Sequence, residues 1–163
     1  MNEARTDIDR QAASDQADSP RVLVPPPLIF AGMVAAGLTI DMDVDEFGLL
    51  QVFAILLLMA ALVLIGAALN LFRRWGTRPE PWQSASALVV TGIYRFTRNP
   101  MYLGMAMLAL AIASFCQSLG AVLLSLLAAA LIDRFVIRRE EAYLERRFCG
   151  EYLTYKQQVR RWL

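Results

Sequence analysis

Thr91-Gly92-Ile93-Tyr94-Arg95-Phe96-Thr97-Arg98-Asn99-Pro100-Met101-Tyr102-Leu103-Gly104 is the stretch in which a basic, water-facing segment becomes a long apolar run. Gly92 accepts backbone angles that other residues avoid. Pro100 fixes its own φ and pushes Asn99 out of the helical region, so a helix is expected to begin at about Pro100, where proline suits the first turn. Arg95 and Arg98 precede that start, and Tyr94 and Tyr102 flank it. Cations and phenols around a helix N-terminus suit a carboxylate or phosphate. The same residues also read as a juxtamembrane loop with positive-inside arginines and interfacial tyrosines.

Composition narrows the class. The 163 residues suffice for one domain, and 57% of them are hydrophobic, too many for an ordinary soluble domain. A net charge of +1 argues against a nucleic-acid binder. No histidine is present, which removes the commonest metal ligand and the usual neutral-pH general base. Cys116 and Cys149 lie far apart without a CxxC spacing, so no metal site is expected and Cys116 reads as apolar filling.

Outward from the central stretch, the apolar runs set the architecture. Residues 1–20, rich in Asp, Ala, Ser and Gln without apolar periodicity, read as a disordered tail, and residues 21–163 as a membrane-embedded domain. No basic n-region leads into an apolar core and cleavage site, so the tail does not read as a signal peptide. Pro25-Pro26-Pro27 opens a first helix, Leu28 to about Ile40, short against the roughly 20 residues that a crossing takes. An acidic loop, Asp41, Asp43, Asp45 and Glu46, leads to an uncharged run from Gly48 to Phe72 that is long enough to span. Met101 to about Phe115 and about Leu119 to Ile137 form two more helices. The short link at Gln117-Ser118 makes them an antiparallel hairpin.

The expected fold class is therefore an all-α integral membrane protein, with four transmembrane helices and a C-terminal amphipathic cytoplasmic helix. Most of the 16 basic residues fall in the 73–98 loop or after Ile132, and none falls in the acidic loop. That asymmetry places both termini and the arginine-rich loop in the cytoplasm. Asp133 and Arg134 sit within about one turn of the fourth helix's end, and α-helical spacing puts Asp133 and Glu140 on one face. Leu144, Phe148, Tyr152, Tyr155 and Val159 recur at three- and four-residue spacing, as in an amphipathic helix bent near Gly150. Arg160-Arg161-Trp162-Leu163 reads as an interfacial anchor.

Two separated segments carry a family resemblance. Leu88-Val89-Val90-Thr91-Gly92-Ile93-Tyr94 with Arg98-Asn99-Pro100-Met101-Tyr102-Leu103-Gly104 resembles the first signature of the isoprenylcysteine carboxyl methyltransferase family and its bacterial relatives. Glu140-Glu141, Leu144, Phe148, Glu151-Tyr152, Tyr155 and Val159-Arg160 resemble that family's C-terminal Glu-Glu segment and the aromatic pattern after it. The resemblance implies S-adenosylmethionine as methyl donor, held at the cytosolic edge of the helices under the C-terminal segment. It implies cofactor contacts from Leu88, Val89, Tyr94, Arg98, Asn99, Pro100, Met101, Tyr102 and Glu140. Arg138 and Glu141 are the implied catalytic candidates, Arg138 for an anionic group and Glu141 as support for the site or substrate. A bacterial inner membrane is the implied location.

Asn99 stands where carboxyl methyltransferases of that family carry histidine, and its Asn-Pro-Met-Tyr form also resembles phospholipid N-methyltransferases. Cys149 takes the family's glycine position after Phe148. The leading expectation is methylation of the carboxylate of a lipidic or prenylcysteine-like substrate. A phospholipid amine acceptor is the alternative within the same chemistry; an NADPH-dependent sterol-type reductase and a non-catalytic membrane scaffold lie outside it. A sulfonium donor carries an activated methyl group, so the enzyme need mainly align the reactants and exclude water. A carboxylate acceptor is already ionised at neutral pH, whereas an ammonium acceptor must first lose a proton.

Overall fold

A computed structural model describes residues 24–42, 48–77 and 85–163. The expected N-terminal tail, the acidic residues Asp43, Asp45 and Glu46, and the stretch from Arg78 to Trp82 lie outside the described residues. Within them the chain is all-helical. Helix α1 spans Pro26–Asp41, α2 Leu49–Arg74, α3 Pro100–Phe115, α4 Leu119–Ile132 and α5 Arg138–Gln158. A 3-10 turn at Gly92–Arg95 precedes α3, and a π-turn at Asp133–Ile137 joins α4 to α5 without a break.

The helix starts follow from the sequence. Pro26 and Pro100 occupy first-turn positions of α1 and α3, where a missing N–H costs nothing. Ser118 caps α4, its hydroxyl accepting from the amide of Ala121 at 2.9 Å. Asp41, at the end of α1, reaches the same corner and accepts from the Ser118 hydroxyl at 2.6 Å and the Gly120 amide at 3.0 Å. The end of α1 and the start of α4 are thus fastened together.

Helix α2 packs along α3, α1 along α4, and α3 and α4 against each other. Small residues permit the close approach. Helix α2 buries Gln51, Ala54, Ala61 and Ala68, while Phe53, Leu56, Met59, Leu62 and Val63 face outward. A Cβ on Gly37 would lie 2.3 Å from the Cα of Ala121, so α1 and α4 touch backbone to backbone. Alanine and glycine seams with large apolar residues outside are the packing of helices in lipid.

Among the described residues, two helices are long and apolar enough to cross a membrane: α2, and the continuous helix from Leu119 to Gln158. The apolar part of the latter is α4; the charged α5 carries it past the apolar stretch. Helices α1 and α3 are apolar but have only 16 residues each. The long helix bends where Cys149 takes φ 40° and ψ −117°, one residue before the expected Gly150.

Candidate functional site

Two apolar clusters meet at the start of α3. One gathers Phe30, Val34, Tyr102, Ala106, Ile132, Val136 and Ile137 from α1, α3, α4 and the π-turn. The other gathers Ala68, Val89, Tyr94, Tyr152 and Tyr155, with Leu88 and Met101 packed against it. Adjacent residues on a helix point about 100° apart, so the first turn of α3 straddles the seam. Met101 faces one cluster and Tyr102 the other.

Glu140 reaches this seam from the first turn of α5. The Tyr102 hydroxyl donates to Glu140 Oε2 at 2.9 Å. No cation pairs with Glu140 among the described residues, and burial pushes its carboxyl up to about 7. Tyr94 lies near enough for burial, and then the Glu140 charge, to push its phenol well above its ordinary value. Its backbone carbonyl accepts from the Tyr155 hydroxyl at 2.7 Å, and its ring meets Phe72 edge-on. The expected residues Leu88, Val89, Tyr94, Met101, Tyr102 and Glu140 therefore converge from three separate segments.

Beside the seam lies a network of charges. Glu141 is 5% exposed. It accepts from Arg98 at 2.9 Å and, through both oxygens, from Arg161 at 3.1 and 2.6 Å. Arg161 also reaches Asp133 at 3.3 Å, where the Trp162 indole N–H donates at 3.0 Å. Arg98 gives a further hydrogen bond to the carbonyl of Lys156, while its buried Nε finds no partner among the described residues. Asn99 does not cap α3 with its side chain; its amide donates instead to the carbonyl of Arg161 at 3.0 Å. Arg138 stands apart, half exposed, and among the described residues it pairs only with Asp133, at 3.8 Å.

Two features escape a reading by spacing. The Arg160-Arg161-Trp162 segment is docked into the network rather than laid out as an interfacial anchor. Asp133 joins Glu141 on Arg161, whereas regular α-helical spacing had put it on a face with Glu140. The π-turn accounts for the shift: its i→i+5 bonding inserts one extra residue, so a separation of eight positions takes the place of seven. The run Leu119–Gln158 contains no proline or glycine at 133–137 to announce it.

Arranged in this way, the site offers one uncompensated carboxylate held by a phenol, aromatic surface and an arginine–carboxylate network. The cation set is largely neutralised internally. Among the described residues no group of three or more Cys, Asp or Glu is arranged to hold a metal.

The chain matches the family model described as phospholipid methyltransferase over residues 49–150, which takes in α2, α3, α4 and the Glu140-Glu141 pair. It is also similar to an uncharacterized protein of Haemophilus influenzae, 61% identical over 33 residues. Those residues are 20% of this chain and 52% of that protein, so the chain spans about half the length of the curated relative it matches. No solved structure matches. The long apolar helices agree with a family of membrane enzymes.

Proposed function

The chain belongs to the phospholipid methyltransferase family, and from that premise we propose that it is an S-adenosylmethionine-dependent methyltransferase acting on a lipid at the cytoplasmic edge of four membrane-crossing helices. One observation carries the reading: Tyr102 and Glu140, 38 positions apart in sequence, meet where the apolar helices end and the charged helix begins. The placement of α1 and α3 as crossings, despite 16 residues each, rests on their outward apolar faces and on the arginines gathered at one end.

The residues present fit the cofactor. Glu140 has one oxygen bound by Tyr102 and no donor at the other among the described residues, which suits ribose hydroxyls or an ammonium. Tyr94, Met101, Leu88 and Val89 share one apolar cluster, whose aromatic and aliphatic side chains suit a purine, while the backbone at Leu88 and Val89 offers it polar groups. Arg98, Asn99 and Pro100 fix the turn that starts α3. When bound, the cofactor supplies a methyl group on a positive sulfur. The chain's part is to orient that group, keep water out and hold charge. Held by the guanidinium groups of Arg98 and Arg161, Glu141 supports the site.

The acceptor follows from the same charges. An anionic acceptor needs a free cation, and Arg98 and Arg161 are already spent on Glu141 and Asp133. An amine-bearing phospholipid, in keeping with the family's description, is therefore the first reading. The carboxylate of a prenylcysteine-like lipid is the second reading, favoured by Arg138, whose half-exposed side chain and loose pairing with Asp133 leave it able to meet an anion.

Incubating membranes or purified protein with methyl-labelled S-adenosylmethionine and a lipid extract tests both. Label that moves into lipid and survives alkali identifies N-methyl groups, the expected result. Alkali-labile label identifies methyl esters and turns the assignment to the carboxylate. No transfer to any lipid would remove the enzyme reading.

A further inference from the structure

The chain leaves α5 at Val159 in extended backbone and runs back across the start of α3. This return is anchored by main-chain groups: the Arg98 amide donates to the carbonyl of Arg160 at 3.0 Å, and the Thr97 hydroxyl to that of Arg161 at 3.1 Å. With its backbone fixed there, Arg161 spreads its guanidinium over two carboxylates. A fork grips both oxygens of Glu141, and the remaining nitrogen reaches Asp133. Such two-point pairing fixes orientation as well as charge. Trp162 braces the same Asp133 and packs on the cluster that contains Tyr102.

We propose that Arg161 is a positioning residue for the site: by clamping Asp133 and Glu141 across the π-turn, it sets the helix rotation that aims Glu140 at Tyr102. Among the described residues Arg161 hydrogen-bonds Glu141 and Asp133, while Glu140 is held by Tyr102, so the link runs through the helix. Glu140 and Glu141 are neighbours about 100° apart around the axis, and holding one determines where the other points. The π-turn is where this rotation departs from that of a regular α-helix, since its bonds run i→i+5. Arg98 alone cannot set it, because it reaches Glu141 but not Asp133. Arg138 alone cannot either, because it stands 3.8 Å from Asp133 and half in solvent. The relevance to methyl transfer rests on the assignment of Tyr102 and Glu140 to the cofactor site; the mechanical link does not.

The test uses the full-length protein in lipid nanodiscs, with 3-fluorotyrosine incorporated at Tyr102 and read by fluorine NMR without ligand. Glu140→Ala calibrates the resonance shift that follows when the phenol loses its acceptor. Arg161→Gln is expected to move the resonance in the same direction, and Arg161→Lys, which keeps the charge but loses the fork, by a smaller amount. Folding of each variant is checked by its melting transition, and Arg161→Lys supplies the result if Arg161→Gln does not fold. In parallel, S-adenosylmethionine affinity is expected to fall on the order of tenfold in Arg161→Gln. An unmoved Tyr102 resonance in folded Arg161 variants would overturn the proposal. A moved resonance in a protein that binds no S-adenosylmethionine at all would leave the link standing and remove the cofactor reading instead.

Discussion

Glu140 is the residue whose chemistry is most exposed to measurement. Its carboxyl is raised by burial, from an ordinary 4.5 to about 7, and Tyr102 opposes only part of that rise. Folding therefore favours the protonated form. The ligand-free protein is expected to lose stability as pH climbs from about 5 through 7, since above the folded value the charged carboxylate must stay desolvated. A cationic cofactor reverses the preference, because it binds the ionised form. Its affinity is expected to rise by up to about tenfold per unit below pH 7 and to level off above it. Isothermal titration across pH 5.5–8.5 reads this directly, and Glu140→Gln is expected to flatten the profile. A flat profile in the unaltered protein would place Glu140 outside the cofactor site.

The pair is legible through the family resemblance, which matches the Asn-Pro-Met-Tyr turn and the Glu-Glu pair by position. Arg161 was not legible. A terminal Arg-Arg-Trp fits a membrane anchor equally well by composition, and only the return of the chain after Val159 reveals its partners. Cys149 is a further residue-scale case. Its φ of 40° is one that L side chains rarely adopt, and a Cβ added to the neighbouring Gly150 meets only open space. Cys149→Gly is expected to raise stability by about 0.5–1 kcal/mol, read as a later unfolding midpoint. An earlier midpoint would mean that the bend does not load that backbone.

Among the elements, close helix contact is the property that substitution tests best. Gly37 has the Ala121 backbone at 2.3 Å from any added Cβ, and Gly104 has the Ile65 side chain at 2.5 Å and the Ala61 carbonyl at 3.3 Å. Gly66 faces open space. Gly37→Val is expected to force α1 from α4 and to cost about 3 kcal/mol, while Gly66→Ala is expected to be neutral or stabilising by up to about 1 kcal/mol. Unfolding in mixed micelles compares them; equal effects would contradict the packing described. The helices themselves could be read from their apolar runs, and their starts from Pro26, Pro100 and Ser118. The continuity of α4 with α5 could not. Hydropathy falls steeply at Asp133, which looks like an end, while the backbone carries on because nothing there breaks a helix. The one-residue slip of the π-turn lies in backbone hydrogen bonding, which side-chain periodicity does not encode.

At the scale of the molecule, the two cysteines test the topology. Cys116 ends α3 beside the Asp41–Ser118 corner, and the exposed Cys149 lies in α5 at the basic end. A four-crossing arrangement with a cytoplasmic C-terminus puts them on opposite faces of the bilayer. Membrane-impermeant maleimide added to right-side-out vesicles is expected to label Cys116 in Cys149→Ser and to leave Cys149 unlabelled in Cys116→Ser until the vesicles are opened. Labelling of Cys149 first would invert the orientation, and labelling of both from one side would end the hairpin as a pair of crossings.

The claim on which function depends is that Tyr102 and Glu140 form one cofactor pocket where apolar helices give way to charged ones. Equilibrium titration of S-adenosylmethionine into the purified full-length protein tests it most directly, with Tyr102→Phe and Glu140→Gln run separately and together. Micromolar binding is expected, weakened by each substitution, with the double variant losing less than the product of the two single losses because the two residues act together on one ligand. Unchanged affinity in both single variants, or binding of NADPH in place of S-adenosylmethionine, would contradict it.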